Sequence, residues 1–193
     1  MGDFKWIFFF LGSSITFIGC QSPKKDVQER SLENIRSLIL TMEEGGKALA
    51  VQMDTVAHFY EKLLTQKDVI QKYPKPNPYR YEGAFSTNIP GEDSSLSSII
   101  ILNTTPDRQK AEDEVVMTNA LDSVFASFKK QNPLAAQIYS NSPMQVSRVY
   151  PAYDTKNIVD PDIDVTKFNF YYEADLKHNP GKGLVWISDA YVD

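Results

Sequence analysis

Hydrophobic and polar positions divide the chain into three regimes. Residues 1 to 20 are largely apolar, residues 26 to 72 repeat with a helical period, and from residue 79 short alternating runs are separated by turns. In the middle regime Leu32, Ile35, Ile39, Met42, Gly46, Leu49, Met53, Val56, Tyr60, Leu63 and Ile70 recur at steps of three and four, with Lys67 the one break. No proline falls between Asp26 and Lys72, so the spacing predicts one helix of about 45 residues with a single apolar seam. That exceeds what a compact domain normally needs, and Gly45-Gly46 is a weak point where a kink is expected. Two readings stay open: a stalk or coiled-coil dimer helix, or an amphipathic helix packed on its own domain. The run Tyr73-Pro74-Lys75-Pro76-Asn77-Pro78 ends the helix, because proline cannot continue the hydrogen-bond ladder and drives the residue before it out of the α region.

Beyond this connector the signals are mixed. Tyr79, Tyr81, Gly83 and Phe85 alternate with polar residues and predict a strand, and the run Leu96 to Leu102 predicts another, with turn residues Asn88 to Asp93 between them. Thr105-Pro106 predicts the start of one helix, whose apolar positions Val115, Val116, Leu121, Val124, Phe125 and Phe128 run down to Lys129-Lys130 before Asn132-Pro133 closes it. Strand-like pieces follow at Ala136 to Tyr139 and Gln145 to Tyr150, the second with Val146, Arg148 and Tyr150 on one face. A polar loop from Pro151 to Lys167, an aromatic segment Phe168 to Tyr172, a short helix at Glu173 to Leu176 and a final strand from Leu184 to Val192 complete the reading. The fold class expected is α+β: a long N-terminal helix, then an antiparallel sheet with flanking helices. Three regions are expected, 1–20 as a leader, 21–78 as stalk helix and linker, and 79–193 as the folded domain.

The leader carries Lys5, then an uncharged stretch from Trp6 to Gly19 that makes about 21 Å of helix. A hydrocarbon core of roughly 30 Å calls for more, so the stretch reads as a secretory signal rather than a span. Its end, Phe17-Ile18-Gly19-Cys20, resembles the bacterial lipobox. The resemblance implies acylation of Cys20 and a mature protein anchored outside the cytoplasm by more than one acyl chain, as stable attachment requires. Gln21 in place of the Asp of the inner-membrane retention signal favours the outer membrane. An inert cysteine in an ordinary leader is the plain alternative.

Composition narrows the chemistry. The chain has 193 residues, 42% apolar and 12% aromatic, enough for one domain with a helical extension. Its net charge of −5, from 25 acidic and 20 basic residues, opposes non-specific binding to nucleic acid. A single cysteine excludes an intrachain disulfide, and two histidines, His58 and His178, stand apart and offer no metal spacing. Asp160-Pro161-Asp162-Ile163-Asp164 resembles the start of a calcium loop but has Val165 at the glycine position and Tyr171 at the closing acid; it reads as a solvated acidic loop. There is no Gly-x-Ser-x-Gly, no phosphate-cradling glycine loop and no Cys/His pair, so neither enzyme activity nor a cofactor or metal is expected.

The order of elements, with the blocks Arg148 to Asp154, Phe168 to Ala174, Asn179-Pro180-Gly181 and Val185 to Asp193, resembles the extracytoplasmic Cache sensor domains, PAS-like sheets that follow a long helix in bacterial receptors and related lipoproteins. The resemblance implies a ligand pocket with Arg148, Tyr150, Tyr153, Asp154, Phe170, Tyr171, Trp186, Tyr191 and Asp193 as candidate binding residues. In amino-acid-binding Cache domains the pattern Arg-x-Trp-Tyr is followed by Tyr-x-Asp. Tyr171, Tyr191 and Asp193 fall on that frame, but Phe168 stands at the carboxylate-binding Arg and Phe170 at the Trp, which removes the bidentate clamp and turns the expectation to a neutral, aromatic or cationic ligand. Cache domains continue into further strands at this point, so the resemblance implies either a fragment of a double-Cache protein or a naturally short relative whose sheet is incomplete. The plain alternative for the site is structural: aromatics as core, Arg148 paired with Asp154. The function expected is a lipid-anchored sensor that binds a small molecule and passes occupancy to a partner. Its competitor is a non-catalytic envelope scaffold dimerising through residues 26–72.

Overall fold

In the computed structural model, residues 23–66 and 77–187 are described. Helix α1 spans Pro23–Thr65 and is continuous through Gly45-Gly46. Two compact units divide within it, Met1–Gly46 and Lys47–Asp193. In the first unit the seam residues Leu32, Ile35, Ile39 and Met42 are exposed, by 49, 53, 49 and 68%. In the second, Leu49, Met53, Val56, Phe59 and Tyr60 pack with fully buried Leu63 against the domain's own core. For this half of the helix the domain-packed reading of the seam holds.

The fold of the second unit is α+β. After α1 come β1 (Tyr81–Glu82), β2 (Phe85–Ser86), β3 (Ser98–Ile101), α2 (Arg108–Met117), α3 (Leu121–Gln131), β4 (Ile138–Asn141), β5 (Val146–Tyr150), a 3-10 turn (Val165–Lys167) and α4 (Asn169–Tyr172). The strands form one antiparallel sheet in the order β1-β2-β3-β5-β4. The single strand expected from Tyr79 to Phe85 is instead a hairpin. Gly83 sits at φ +60° at the first of two turn positions, a backbone state open to glycine at no steric cost, and it folds the alternating run back on itself.

The helix expected from Thr105 to Lys130 is two helices. Asp107, not Thr105, caps the first through Lys110 N–H. The break at Thr118-Asn119-Ala120 has a specific cause. Asn119 N–H bonds Val116 O, three residues back, and Val115 O instead accepts from Arg148 Nη2 at 2.9 Å. A buried guanidinium thus replaces an intrahelical donor and ends α2 where a purely periodic reading continues it.

Pleating sorts the sheet into two faces. Ile99, Ile101, Val146, Arg148, Tyr150 and Ile138 share one face by register. Two clusters cover this face: Ile99, Ile101 and Val146 with Ala111 and Val115 of α2, and Ile138 with Leu121, Phe125 and Phe128 of α3 and Leu63 of α1. Ile100, Ser147, Val149, Tyr139 and Asn141 share the other face. A third cluster forms there, Ala84, Phe85, Ile100 and Leu102 with Val165, joined by Val159, Ile163 and Tyr171 from the segment after β5.

That segment holds its place through polar contacts at both ends of the sheet. Ser98 Oγ donates to Tyr153 O at 2.9 Å and accepts from Tyr153 N–H at 3.0 Å. Asn103 N–H bonds Pro161 O, Asn103 Nδ2 bonds Asp162 Oδ1, and Thr104 Oγ1 bonds Ile163 O. From the β4–β5 turn, Gln145 donates to Asp164 Oδ1 at 2.8 Å and accepts from Val165 N–H at 3.0 Å. The short helix falls on the aromatic segment, Asn169–Tyr172, not on Glu173 to Leu176, which forms turns. Of the final strand expected from Leu184 to Val192, residues 184–187 carry no strand and 188–192 lie outside the described residues.

Candidate functional site

Between the second sheet face and the segment after β5 lies a cleft of about 500 Å³. Its floor is Ile100 of β3 and Ser147 and Val149 of β5, its edge Tyr139 and Asn141 of β4, and its wall Tyr153, Val159, Asp160, Ile163, Val165, Phe168 and Phe170. Alternation decides who reaches it: on β5, Ser147 and Val149 point in while Val146, Arg148 and Tyr150 belong to the helix side. Apolar walls with a few polar groups are the usual make-up of a small-molecule site. Ser147 Oγ donates to Asn141 Oδ1 at 2.5 Å, so the amide nitrogen is the end of Asn141 that can donate to an occupant. Phe168 stacks on Phe170 at 5.4 Å, and Tyr139 meets Phe170 edge-on at 6.1 Å. Tyr139, Asn141 and Phe170 also line an adjoining hollow of about 320 Å³ that reaches Tyr171 and Asp175.

The candidate binding residues are distributed unevenly over this geometry. Tyr153 and Phe170 line the cleft, and Tyr171 lines the adjoining hollow. Burial, and then the nearby Asp175 carboxylate, push the Tyr171 phenol up from its usual pKa. Tyr150 packs beside the α1–α3 cluster and donates to Ser94 O at 2.8 Å. Asp154 is exposed and accepts from Asn157. Trp186 is 66% exposed. Cys20, Tyr191 and Asp193 lie outside the described residues.

Arg148 has a different environment from the one expected. It is 1% exposed on the helix side and pairs with Asp122, not Asp154: Nη1 lies 2.6 Å from Asp122 Oδ1, which also accepts from Ser97 Oγ at 2.7 Å. Nη2 bonds Val115 O, Thr118 Oγ1 and Asn119 Oδ1. Tyr79 completes the network, donating to Asp122 Oδ2 at 2.8 Å, and burial drives its phenol pKa far above the usual value. Such a network specifies the core. A second buried carboxylate, Glu114, accepts from Tyr60 of α1 at 3.0 Å. Its pKa is raised by burial, against the opposing pull of Ser142, Tyr60 and Arg148. Tyr81, under Arg108 at 5.1 Å, is pushed up to about 12, chiefly by burial.

Sequence reasoning missed Tyr139, Asn141, Ser147 and Asp160 as cleft residues. The signal for the first three is the same alternation that put Arg148 and Tyr150 together, taken on its opposite face. Asp160 and Asp164 belong to the acidic run: Asp164 caps the 3-10 turn through Thr166 N–H, and the Thr166 hydroxyl, then Gln145, hold its carboxyl below the usual range. No three His, Cys, Asp or Glu residues converge as a metal cluster among the described residues, and no described helix is long and apolar enough to cross a membrane.

Compared with known proteins, the chain matches no family model, no curated protein and no solved structure.

Proposed function

We propose that this chain is an extracytoplasmic lipoprotein, anchored through Cys20, whose Cache-like sheet binds a small molecule in the cleft and passes occupancy to a partner through α1. The observation that carries the reading is the cleft itself, an apolar and aromatic recess of about 500 Å³ on the sheet face opposite the helices. A route for relay is also supported. β5 presents Val149 to the cleft and, one residue away, Arg148 and Tyr150 to the side where α1 packs. Tyr60 and Leu63 of α1 sit in that same core, so an occupant that shifts β4 or β5 changes the helix's seat.

A thermal-shift screen of the full chain with amino acids, amines, carboxylates and purines tests this, because a ligand that binds the folded state must raise its stability. A shift that disappears in Phe170→Ala supports the reading. No shift with any class, together with a concentration-dependent dimer, favours the second reading: a non-catalytic envelope scaffold that dimerises through α1. The exposed seam at Leu32, Ile35, Ile39 and Met42 is the observation behind that alternative, since spacing of three and four with apolar side chains is the pattern of a coiled-coil partner surface.

A further inference from the structure

We infer that the occupant of the cleft is a small organic cation with an apolar or aromatic body. The inference rests on the cleft being a ligand site and adds the charge of its ligand. The charged side chain that lines the cleft is a carboxylate, Asp160, and the adjoining hollow ends on another, Asp175. No lysine or arginine lines either among the described residues. Among the described residues, Arg148 faces the helix side and pairs with Asp122, Lys156 pairs with Glu82 at 2.9 Å, and Lys167 lies 3.7 Å from Asp164; His178 Nδ1 lies 2.9 Å from Asp175 Oδ1, so the counter-charge in the cleft is Asp160.

An anion entering this recess gives up water and meets a carboxylate and aromatic faces of negative potential, with no lysine or arginine among the described residues lining it to compensate. A cation meets the reverse. Tyr139, Tyr153, Phe168 and Phe170 surround the space, and aromatic rings attract a cation placed over their faces. Ile100, Val149 and Val165 at the floor suit an apolar body rather than a bare metal ion. Asp160 supplies the counter-charge from the wall, with Oδ1 accepting Asp162 N–H at 3.0 Å, a contact that fixes the carboxylate's direction and that an amide oxygen can reproduce.

The test uses three probes that share a phenyl ring and a two-carbon spacer and differ in the head: 2-phenylethylammonium, 2-phenylethanol and 3-phenylpropanoate. Each is titrated calorimetrically into the full chain at fixed ionic strength, with a detergent-only blank. The ammonium is expected to bind roughly three- to tenfold tighter than the alcohol, with the propanoate weakest. Asp160→Asn is expected to weaken the ammonium several-fold more than the alcohol and so remove most of that preference. If the alcohol equals the ammonium, or the propanoate binds tightest, the cation assignment is overturned. The cleft reading then still stands, provided Phe170→Ala weakens whichever probe bound. If none of the three binds at millimolar concentration, the cation assignment is likewise overturned, and the cleft is judged on the broader screen above.

Discussion

Arg148 Nη1 lies 2.6 Å from Asp122 Oδ1, with the two side chains 1% and 7% exposed. A buried pair of this kind penalises the loss of one partner more than the loss of both, because the survivor keeps its desolvation penalty without its compensation. Asp122→Ala, which strands the guanidinium, is expected to destabilise the domain by about 3–5 kcal/mol. A paired Arg148→Met, Asp122→Leu chain is expected to recover much of that. Urea midpoints of the single and double variants check the order. Arg148→Lys is not a conservative change here, since an ammonium cannot reach Asp122, Val115 O, Thr118 and Asn119 in one plane.

Glu114 predicts an unusual pH dependence. Its folded pKa is raised by burial, above an unfolded value of about 4.3, so the folded state holds its proton longer than the unfolded one. The contribution to stability is therefore full below the unfolded pKa and is lost as pH rises through the folded pKa. Asp93, Asp107, Asp164 and Asp175 run the other way: hydrogen bonds hold their pKa values down, and their contributions are lost as pH falls. Glu114→Gln, which keeps an acceptor for Tyr60, is expected to remove the alkaline loss alone. Denaturation midpoints of wild type and variant between pH 4 and 8 should diverge as pH rises.

Gln145 holds the cleft wall to the sheet. It adopts φ 61°, a left-handed conformation uncommon for a residue with a side chain, and its amide bonds both Asp164 Oδ1 and Val165 N–H. Gln145→Ala keeps the backbone strain and loses the clamp. A loss of about 1–3 kcal/mol is expected, with faster amide exchange at Val165 and Thr166 and little change at the β3–β5 ladder.

The seam of α1 is expected to divide energetically at the boundary between the units. Leu63, fully buried, should cost about 2–5 kcal/mol on truncation to Ala. Ile39, 49% exposed, should leave the unfolding midpoint of the sheet domain unchanged. If Ile39→Asp instead lowers a concentration-dependent sedimentation coefficient, the seam of the first unit is a self-association surface.

Cys20 carries the localisation proposal. Incorporation of labelled palmitate into wild type and its absence from Cys20→Ser are expected; an unlabelled wild-type chain contradicts the anchor.

What was legible in the sequence followed periodicity. The seam from Leu32 to Leu63 and the alternation Val146, Arg148, Tyr150 needed no tertiary knowledge, and both lie in the expected elements, but α1 ends at Thr65, short of the proline run, and residues 67–76 lie outside the described residues. The divisions inside apparent elements were not legible. Thr118-Asn119 reads as helix by composition, and it breaks because Arg148, distant in sequence, takes Val115 O. Tyr79 to Phe85 alternates like a strand, yet Gly83 turns it. Of the expected residues, Tyr153 and Phe170 line the cleft and Tyr171 the adjoining hollow, but which face of β5 is open depends on where α1, α2 and α3 pack, and no local pattern states that.

The two-faced sheet allows the most direct test of the central claim, that a small molecule binds opposite the helices. In a methyl-labelled sample titrated with the tightest ligand from the screen, Ile100, Val149 and Val165 should shift first and saturate together, while Ile99, Ile101 and Val146 on the helix side should barely move. Shifts centred on Ile99, Ile101 and Val146, or none at saturating ligand, would contradict the account.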